Sequence, residues 1–157
     1  GYGNLLRLIS RAYVEAEPGA DIQVSLGELA RHHAGLLLLT GGPGGPVGCA
    51  IRRGNLKLAR ELLGDLKAIF GDRLYVELMR HGLDEEEVTE PALVELAYGQ
   101  DVPLVATNDV HFLDAASHEA HDALLCIGEG TQIAVEDRRR LTLEHRFKTA
   151  AEMAAPL

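Results

Sequence analysis

Three short apolar runs, with helical patterns between them, constrain the fold more than any other feature of the sequence. They are residues 36–40 (LLLLT), 74–79 (LYVELM) and 103–106 (PLVA). The first is apolar on both faces, which is typical of a parallel strand covered by helices. The last ends at the turn-forming pair Asn108-Asp109. Strands that alternate with helices indicate right-handed βαβ units around a mostly parallel sheet, so the predicted fold class is α/β.

The stretches between these runs have the periodicity of amphipathic helices. Apolar residues three or four positions apart, with capping residues at the ends, predict helices over residues 4–16, 25–35, 55–70 and 117–127, and one that starts at Pro91. In the last helix of the chain, the residues expected to face the interior are Ala120, Ala123, Leu124 and Ile127.

A glycine-rich run, residues 41–48 (GGPGGPVG), follows the first strand. It matches neither the dinucleotide fingerprint nor the P-loop pattern, and no Lys-Ser/Thr pair follows it to hold a phosphate and Mg²⁺. We therefore reject a nucleotide loop and predict a tight turn in which glycines supply positive φ. Because it lies at the carboxyl end of a strand, the run could still border a site.

The charge balance excludes general attraction to nucleic acid. Lys and Arg number 15 against 24 Asp and Glu, a net charge of −9, so any contact with DNA has to be local. The one basic cluster, Arg138-Arg139-Arg140, has enough charge to touch one or two phosphates. Against the overall negative charge, a surface role for it is favoured.

Cysteine usage and hydropathy indicate the compartment. Cys49 and Cys126 form neither a CxxC pair nor a disulfide framework, as expected in a reducing cytosol. No apolar run reaches the roughly 18 residues of a membrane span, and no signal peptide pattern is present. We predict a cytoplasmic protein. A start at Gly1 instead of Met suggests a piece of a longer one.

The candidate site follows the third strand, where Asp109 and His111 stand two residues apart. In an extended chain this spacing puts a carboxylate and an imidazole on the same side, where the two groups can together coordinate one cation or bind one phosphate. The carboxyl ends of strands are where α/β proteins build their sites. Taken alone, however, such a pair more often caps the next helix.

Other polar residues near strand ends are site-adjacent candidates. Glu77 interrupts a strand pattern; it either points to solvent, the interpretation we favour, or faces basic or metal-bound neighbours. His81 and Asn108 follow the second and third strands. Two histidine pairs, His32-His33 and the pair at positions 118 and 121, are interpreted respectively as a helix end and as part of a solvated helix.

Six segments, taken in order, carry a resemblance to a known family: GYGNLLRLISRAY, GLLLLTGGPGGPVG, DRLYVELMRHGL, PLVATNDVHF, EAHDALLCI and RFKTAAEM. They closely resemble the amino-terminal PHP (polymerase and histidinol phosphatase) region of the bacterial DNA polymerase III alpha subunit. The resemblance implies a fragment of a distorted (β/α)7 barrel with mostly parallel strands. It implies a PHP part over residues 1–130, made of later βα units, and a connector over 131–157 towards a polymerase palm domain.

The resemblance also implies a metal-ligand set, which this chain matches in part. Asp109 and His111 match the family's last motif, DxH, and are candidate remnant ligands. Gly42 stands where metal-binding members have a cysteine, so the thiolate ligand is lost. The family's other ligands would lie upstream of Gly1. Two ligands cannot complete a zinc site, so a Zn or Mn site would be incomplete here.

Two functions follow from the resemblance. In the first, which we favour, the chain is a non-catalytic part of a replicative DNA-directed DNA polymerase that uses Mg. Its PHP region would be a platform for the proofreading exonuclease (epsilon) subunit. In the second, the PHP region is a metal-dependent phosphoesterase with 3′–5′ exonuclease activity. The other polymerase domains and primer-template DNA would be further partners. Because barrel strands would be missing, self-association through open edges is also predicted.

Overall fold

The computed structural model describes residues 1–155, so Pro156 and Leu157, the end of the predicted connector, lie outside the described residues. Three strands form one sheet: β1 (Leu38–Leu39), β2 (Leu74–Leu78) and β3 (Leu104–Ala106). The strand order is β1-β2-β3, and both neighbouring pairs are parallel. The predicted α/β fold with a parallel sheet is confirmed. That the chain is a fragment of a distorted (β/α)7 barrel stays a prediction.

Seven α-helices surround or extend this sheet within the described residues. They are α1 (Tyr2–Val14), α2 (Leu26–His32), α3 (Pro46–Arg52), α4 (Leu56–Phe70), α5 (Asp84–Gly99), α6 (His118–Glu129) and α7 (Ala150–Ala154). Short 3₁₀ turns cover Gly42–Gly44, Gly71–Arg73, Ala115–Ser117 and Leu143–His145. None of the helices in residues 1–155 is long and apolar enough to cross a membrane.

Helix α4 shows how local sequence determines an element. The side chain of Asn55 accepts a hydrogen bond from the backbone N–H of Leu58 (3.0 Å), which satisfies one of the free donors at the helix start. Its buried stripe is Ala59, Leu63, Leu66 and Phe70. This stripe packs with α3, α5 and β2 into one apolar core, and that core fixes the strand ends that carry the polar residues.

The glycine run contains a helix that the sequence did not predict. After a turn in which Gly42 has a φ of +54°, the chain enters α3 at Pro46. A Cβ on Gly48 would lie 2.3 Å from the carbonyl oxygen of Gly42, so only glycine lets the helix approach the turn this closely. The predicted tight turn is confirmed, but it is also a packing surface.

The start of α5 was predicted seven residues too late. The helix begins at Asp84, and Pro91 lies inside it. The acidic run from Asp84 to Glu87 forms the first turn of the helix. The positive end of the helix dipole lies there and stabilises carboxylates. Glu86 in this turn is buried, because its side chain accepts hydrogen bonds from the backbone N–H groups of His81 and Leu83.

The predicted inward face of α6 is wrong. Leu124 is 64% exposed and Ile127 is 76% exposed, whereas Cys126 is the buried residue of this helix. The periodicity found a real apolar stripe along the helix. Among residues 1–155, however, this stripe is left facing outward.

Candidate functional site

The candidate site is built where β2 and β3 end side by side. The strands are parallel, with Leu78 paired to Ala106, so the residues that follow each strand leave the sheet at the same edge. His81 follows β2, and residues 107–112 follow β3. The predicted site-adjacent residues His81 and Asn108 meet here: Nε2 of His81 lies 2.8 Å from Oδ1 of Asn108.

Asp109 and His111 lie together, as their spacing predicts. Nε2 of His111 is 3.0 Å from Oδ2 of Asp109, with the imidazole partly covered and the carboxylate largely exposed. The two side chains therefore bind each other across an open surface. The backbone N–H of Asp109 lies 3.2 Å from Nε2 of His81, the nitrogen that also faces Oδ1 of Asn108, so this loop lies against the buried histidine.

His81 is 2% exposed and is held on both sides of its ring. Nδ1 lies 2.6 Å from Oε1 of Glu86. The orientation of the Asn108 side-chain amide is fixed, because its Nδ2 donates to the carbonyl oxygen of Arg146 (2.6 Å). Its Oδ1 is thereby directed at His81. A buried imidazole that is hydrogen bonded at both nitrogens stabilises the folded protein. Removal of Glu86 or Asn108 would leave a buried donor or acceptor without a partner.

His145, which the sequence did not single out, stacks on this histidine. The ring centroids of His81 and His145 are 4.0 Å apart and their planes are inclined by 16°. Burial lowers the pKa of His145 below its ordinary value, and the neighbouring His81 ring lowers it further. The neutral imidazole is therefore the favoured form. No periodic pattern in the sequence could have identified His145 as part of the site. Glu86 could have been found, because it is the third residue of an acidic helix start.

Glu77 does not point to solvent, so the favoured interpretation of this residue is wrong. It is 7% exposed, and its Oε2 accepts a hydrogen bond from the backbone N–H of Gly41 (2.9 Å). Its Oε1 accepts one from Oγ1 of Thr107 (2.6 Å). The hydroxyl of Thr40 accepts the Glu77 N–H (3.0 Å). The carboxylate thus joins the ends of all three strands, which explains a charged residue in a buried strand.

Gly42 offers no group that could hold a cation, and the space beside it is occupied. A Cβ at this position would lie 3.3 Å from Sδ of Met79. Within residues 1–155, no three His, Cys, Asp or Glu side chains come together as metal ligands. The residues present therefore do not fit a complete metal centre, since Asp109 and His111 supply two donors that bind each other.

Three further basic residues, His33, His121 and Arg138, contact other side chains. His33 ends α2, and its ring and carbonyl oxygen bind Arg73, which confirms the helix-end interpretation. His121 lies near the loop of Asp109 and His111, with its ring centroid 5.6 Å from that of His111. In the basic cluster, Arg138 is not a free surface cation, because both of its terminal nitrogens bind Asp122 at 2.6 Å.

A family model matches the amino-terminal part of the chain. The PHP domain model covers residues 1–81, just over half of the 157 residues. The chain belongs to the PHP domain family. The predicted resemblance to the PHP family is thereby confirmed for the segments within residues 1–81.

Curated relatives extend the likeness across the rest of this PHP chain. It is 47% identical over 153 residues, 98% of its length, to the DNA polymerase III subunit alpha of Caulobacter vibrioides. It is 36% identical over the same share to that of Rickettsia bellii, and 39% identical over 140 residues, 89% of its length, to that of Escherichia coli K12. The chain spans only 12 to 13% of the length of these relatives.

Proposed function

We propose that this chain is part of a bacterial DNA polymerase III alpha subunit, a cytoplasmic, Mg-dependent, DNA-directed DNA polymerase. The observation that carries the proposal is the 47% identity to a DNA polymerase III subunit alpha over 98% of the chain. In this role residues 1–130 belong to the PHP part, as later units of a distorted (β/α)7 barrel. Residues 131–157 lead towards the palm domain, which acts on primer-template DNA.

The PHP region in this proposal is a platform for the proofreading exonuclease subunit and has no chemistry of its own. The support is the donor set at the strand ends. Asp109 and His111 bind each other at 3.0 Å, and Gly42 has no side chain to contribute. Metal-activated water needs a cation held by several protein ligands with an open position, and the described residues provide too few.

A second candidate, a metal-dependent phosphoesterase of the 3′–5′ exonuclease type, is favoured by one observation. The carboxylate and imidazole of the DxH motif remain paired at the carboxyl end of β3. Zn or Mn could bind there only with ligands from outside the described residues. A nuclease assay on the natural-length protein with Asp109→Asn distinguishes the candidates, because a platform loses no hydrolytic activity in that variant.

The experiment for the first proposal uses the natural-length protein. Template-directed primer extension tests polymerase membership, and absence of dNTP incorporation would contradict it. Cross-linking mass spectrometry with the exonuclease subunit tests the platform. A carboxylate-reactive linker is the suitable reagent, since the chain has 24 acidic residues but only three lysines. We expect cross-links from this chain to the exonuclease subunit; a stable complex cross-linked only through other regions would reject the platform.

A further inference from the structure

Residues 141–148 cross the carboxyl ends of β2 and β3 and are hydrogen bonded to both. On the β2 side, Oγ1 of Thr142 donates to the carbonyl oxygen of His81 (2.7 Å). On the β3 side, the backbone N–H of His111 donates to the carbonyl oxygen of His145, and that of Phe147 to the carbonyl oxygen of Phe112, each at 2.9 Å. The segment thus extends the strand ends with one parallel bridge, between Phe112 and Arg146.

His145 is the most deeply buried residue of this segment. Among residues 131–155, all within the described part of the chain, it is the least exposed residue, at 3%. The side chains of Arg138 and Lys148 are also covered, at 4% and 6% exposure. The large apolar side chains beside His145, Leu143 and Phe147, are exposed. Because apolar burial contributes little here, the segment depends on the His145 ring stacked on His81, on hydrogen bonds of its backbone and of Thr142, and on the ion pair of Lys148 with Glu144.

The segment in turn holds the loop that carries the DxH pair. The amide of Asn108 binds the carbonyl oxygen of Arg146, and the N–H of His111 binds that of His145. Asp109 lies between these two fixed points. If residues 141–148 lifted away, both flanks of Asp109 would lose their partners and the His81 ring would be uncovered.

We propose that residues 141–148 form a releasable strap, anchored by His145 on His81, that closes over the strand ends and keeps the loop of Asp109 and His111 in place. Segments with few buried apolar contacts and exposed hydrogen bonds open locally at a much lower free energy than the core. The strap has few buried apolar contacts, and its hydrogen bonds to His81 and Asn108 are only part-buried, whereas β2 and α4 lie in the core. The strap does not rest on the polymerase assignment, because every contact in it belongs to this chain.

Amide hydrogen exchange of the natural-length protein, read by mass spectrometry, tests the strap. The reporters are the N–H groups of Phe147 and His111, and the core references are those of Val76 and Ala59, which bind the carbonyl oxygens of Pro103 and Asn55. We expect His145→Ala to accelerate exchange at both reporters about tenfold while the core references stay unchanged. Leu143→Ala, an exposed change in the same strap, should alter them less than about threefold.

A rescue variant keeps the test decisive. His145→Phe retains a flat ring above His81 and should return exchange at the reporters to within about threefold of wild type. The strap is rejected if His145→Ala changes the reporters less than about threefold. It is also rejected if strap and core accelerate together, because they would then open as one unit. The stacked ring is not the anchor if His145→Phe fails to slow exchange at the reporters. The same holds if Leu143→Ala accelerates exchange there as much as His145→Ala does.

Discussion

At the scale of single residues, the carboxylate of Glu77 links the ends of the strands. Glu77 accepts hydrogen bonds from Gly41 and Thr107, which lie after β1 and β3, while its own strand lies between them. A buried carboxylate keeps its place only when donors surround it. Glu77, the charged residue that interrupts the apolar pattern of β2, therefore has a structural role: it connects the ends of the three strands.

Replacing Glu77 by Ala should lower the free energy of unfolding by about 1–3 kcal/mol, because the part-buried hydrogen bonds from Gly41 and Thr107 lose their charged acceptor. Chemical denaturation measures the change. The matched control is Glu95→Ala on α5, where the side chain is exposed and the expected change stays within about 0.5 kcal/mol. A Glu77→Ala variant as stable as this control would show that this connection contributes nothing.

Gly42 gives a second prediction at this scale. Its φ of +54° is costly for any other residue, and an added Cβ would press on Sδ of Met79. Gly42→Ala should therefore destabilise the protein by roughly 1–2 kcal/mol. Gly99→Ala, at the end of α5 with open space around it, should be neutral or stabilising by up to about 1 kcal/mol. Denaturation curves that shift in the same direction for both variants would contradict the conformational argument.

At the scale of elements, helices with both a cap and an apolar stripe could be predicted from sequence, and packing-dependent features could not. The spans of α4 and β2 were each predicted to within one residue. Helix α3 was missed, because glycine and proline at 41–46 conceal a helix held by close packing. The direction of Glu77 and the stack of His145 depend on residues far away in the chain. Local patterns do not contain that information.

Helix α7 gives a prediction on pH dependence. Hydrogen bonds from the backbone N–H and hydroxyl of Thr149, then from Arg146, lower the pKa of Glu152 to about 2. A depressed carboxyl pKa stabilises the folded form above the unfolded value of about 4.3. This contribution is lost as pH falls from there towards 2. The Thr149 amide resonance of the folded protein should titrate with its midpoint at the Glu152 pKa of about 2, and Glu152→Gln should abolish the change. An unaltered titration in that variant would contradict the cap.

At the scale of the whole molecule, the described chain leaves apolar surfaces and strand edges without partners. Along α1 the exposed residues Tyr2, Leu5, Leu6, Ile9 and Tyr13 share one face, and α6 exposes Leu124 and Ile127. In the sheet, β1 and β3 are edge strands. Exposed apolar faces and open edges favour association with other protein surface. Self-association of the isolated chain therefore stays a prediction.

Light scattering over a concentration series of the 157-residue chain tests it. We expect a mass that rises with concentration, and a lower mass at each concentration for the variant Ile9→Arg combined with Ile127→Arg. Lys57→Ala, an exposed charge on α4, is the control and should behave as wild type. A strictly monomeric chain at all concentrations would contradict the prediction.

The central claim, that the DxH pair persists in a platform without a working metal centre, is tested most directly by metal stoichiometry. The natural-length protein and its His111→Ala variant would be equilibrated with Zn²⁺ or Mn²⁺, and bound metal measured by elemental analysis and calorimetric titration. The account predicts the same stoichiometry for both proteins, because His111 is paired with Asp109 and the described residues bring too few donors together to complete a metal site. One equivalent of metal present in the wild type and absent from the variant would contradict it and favour the phosphoesterase.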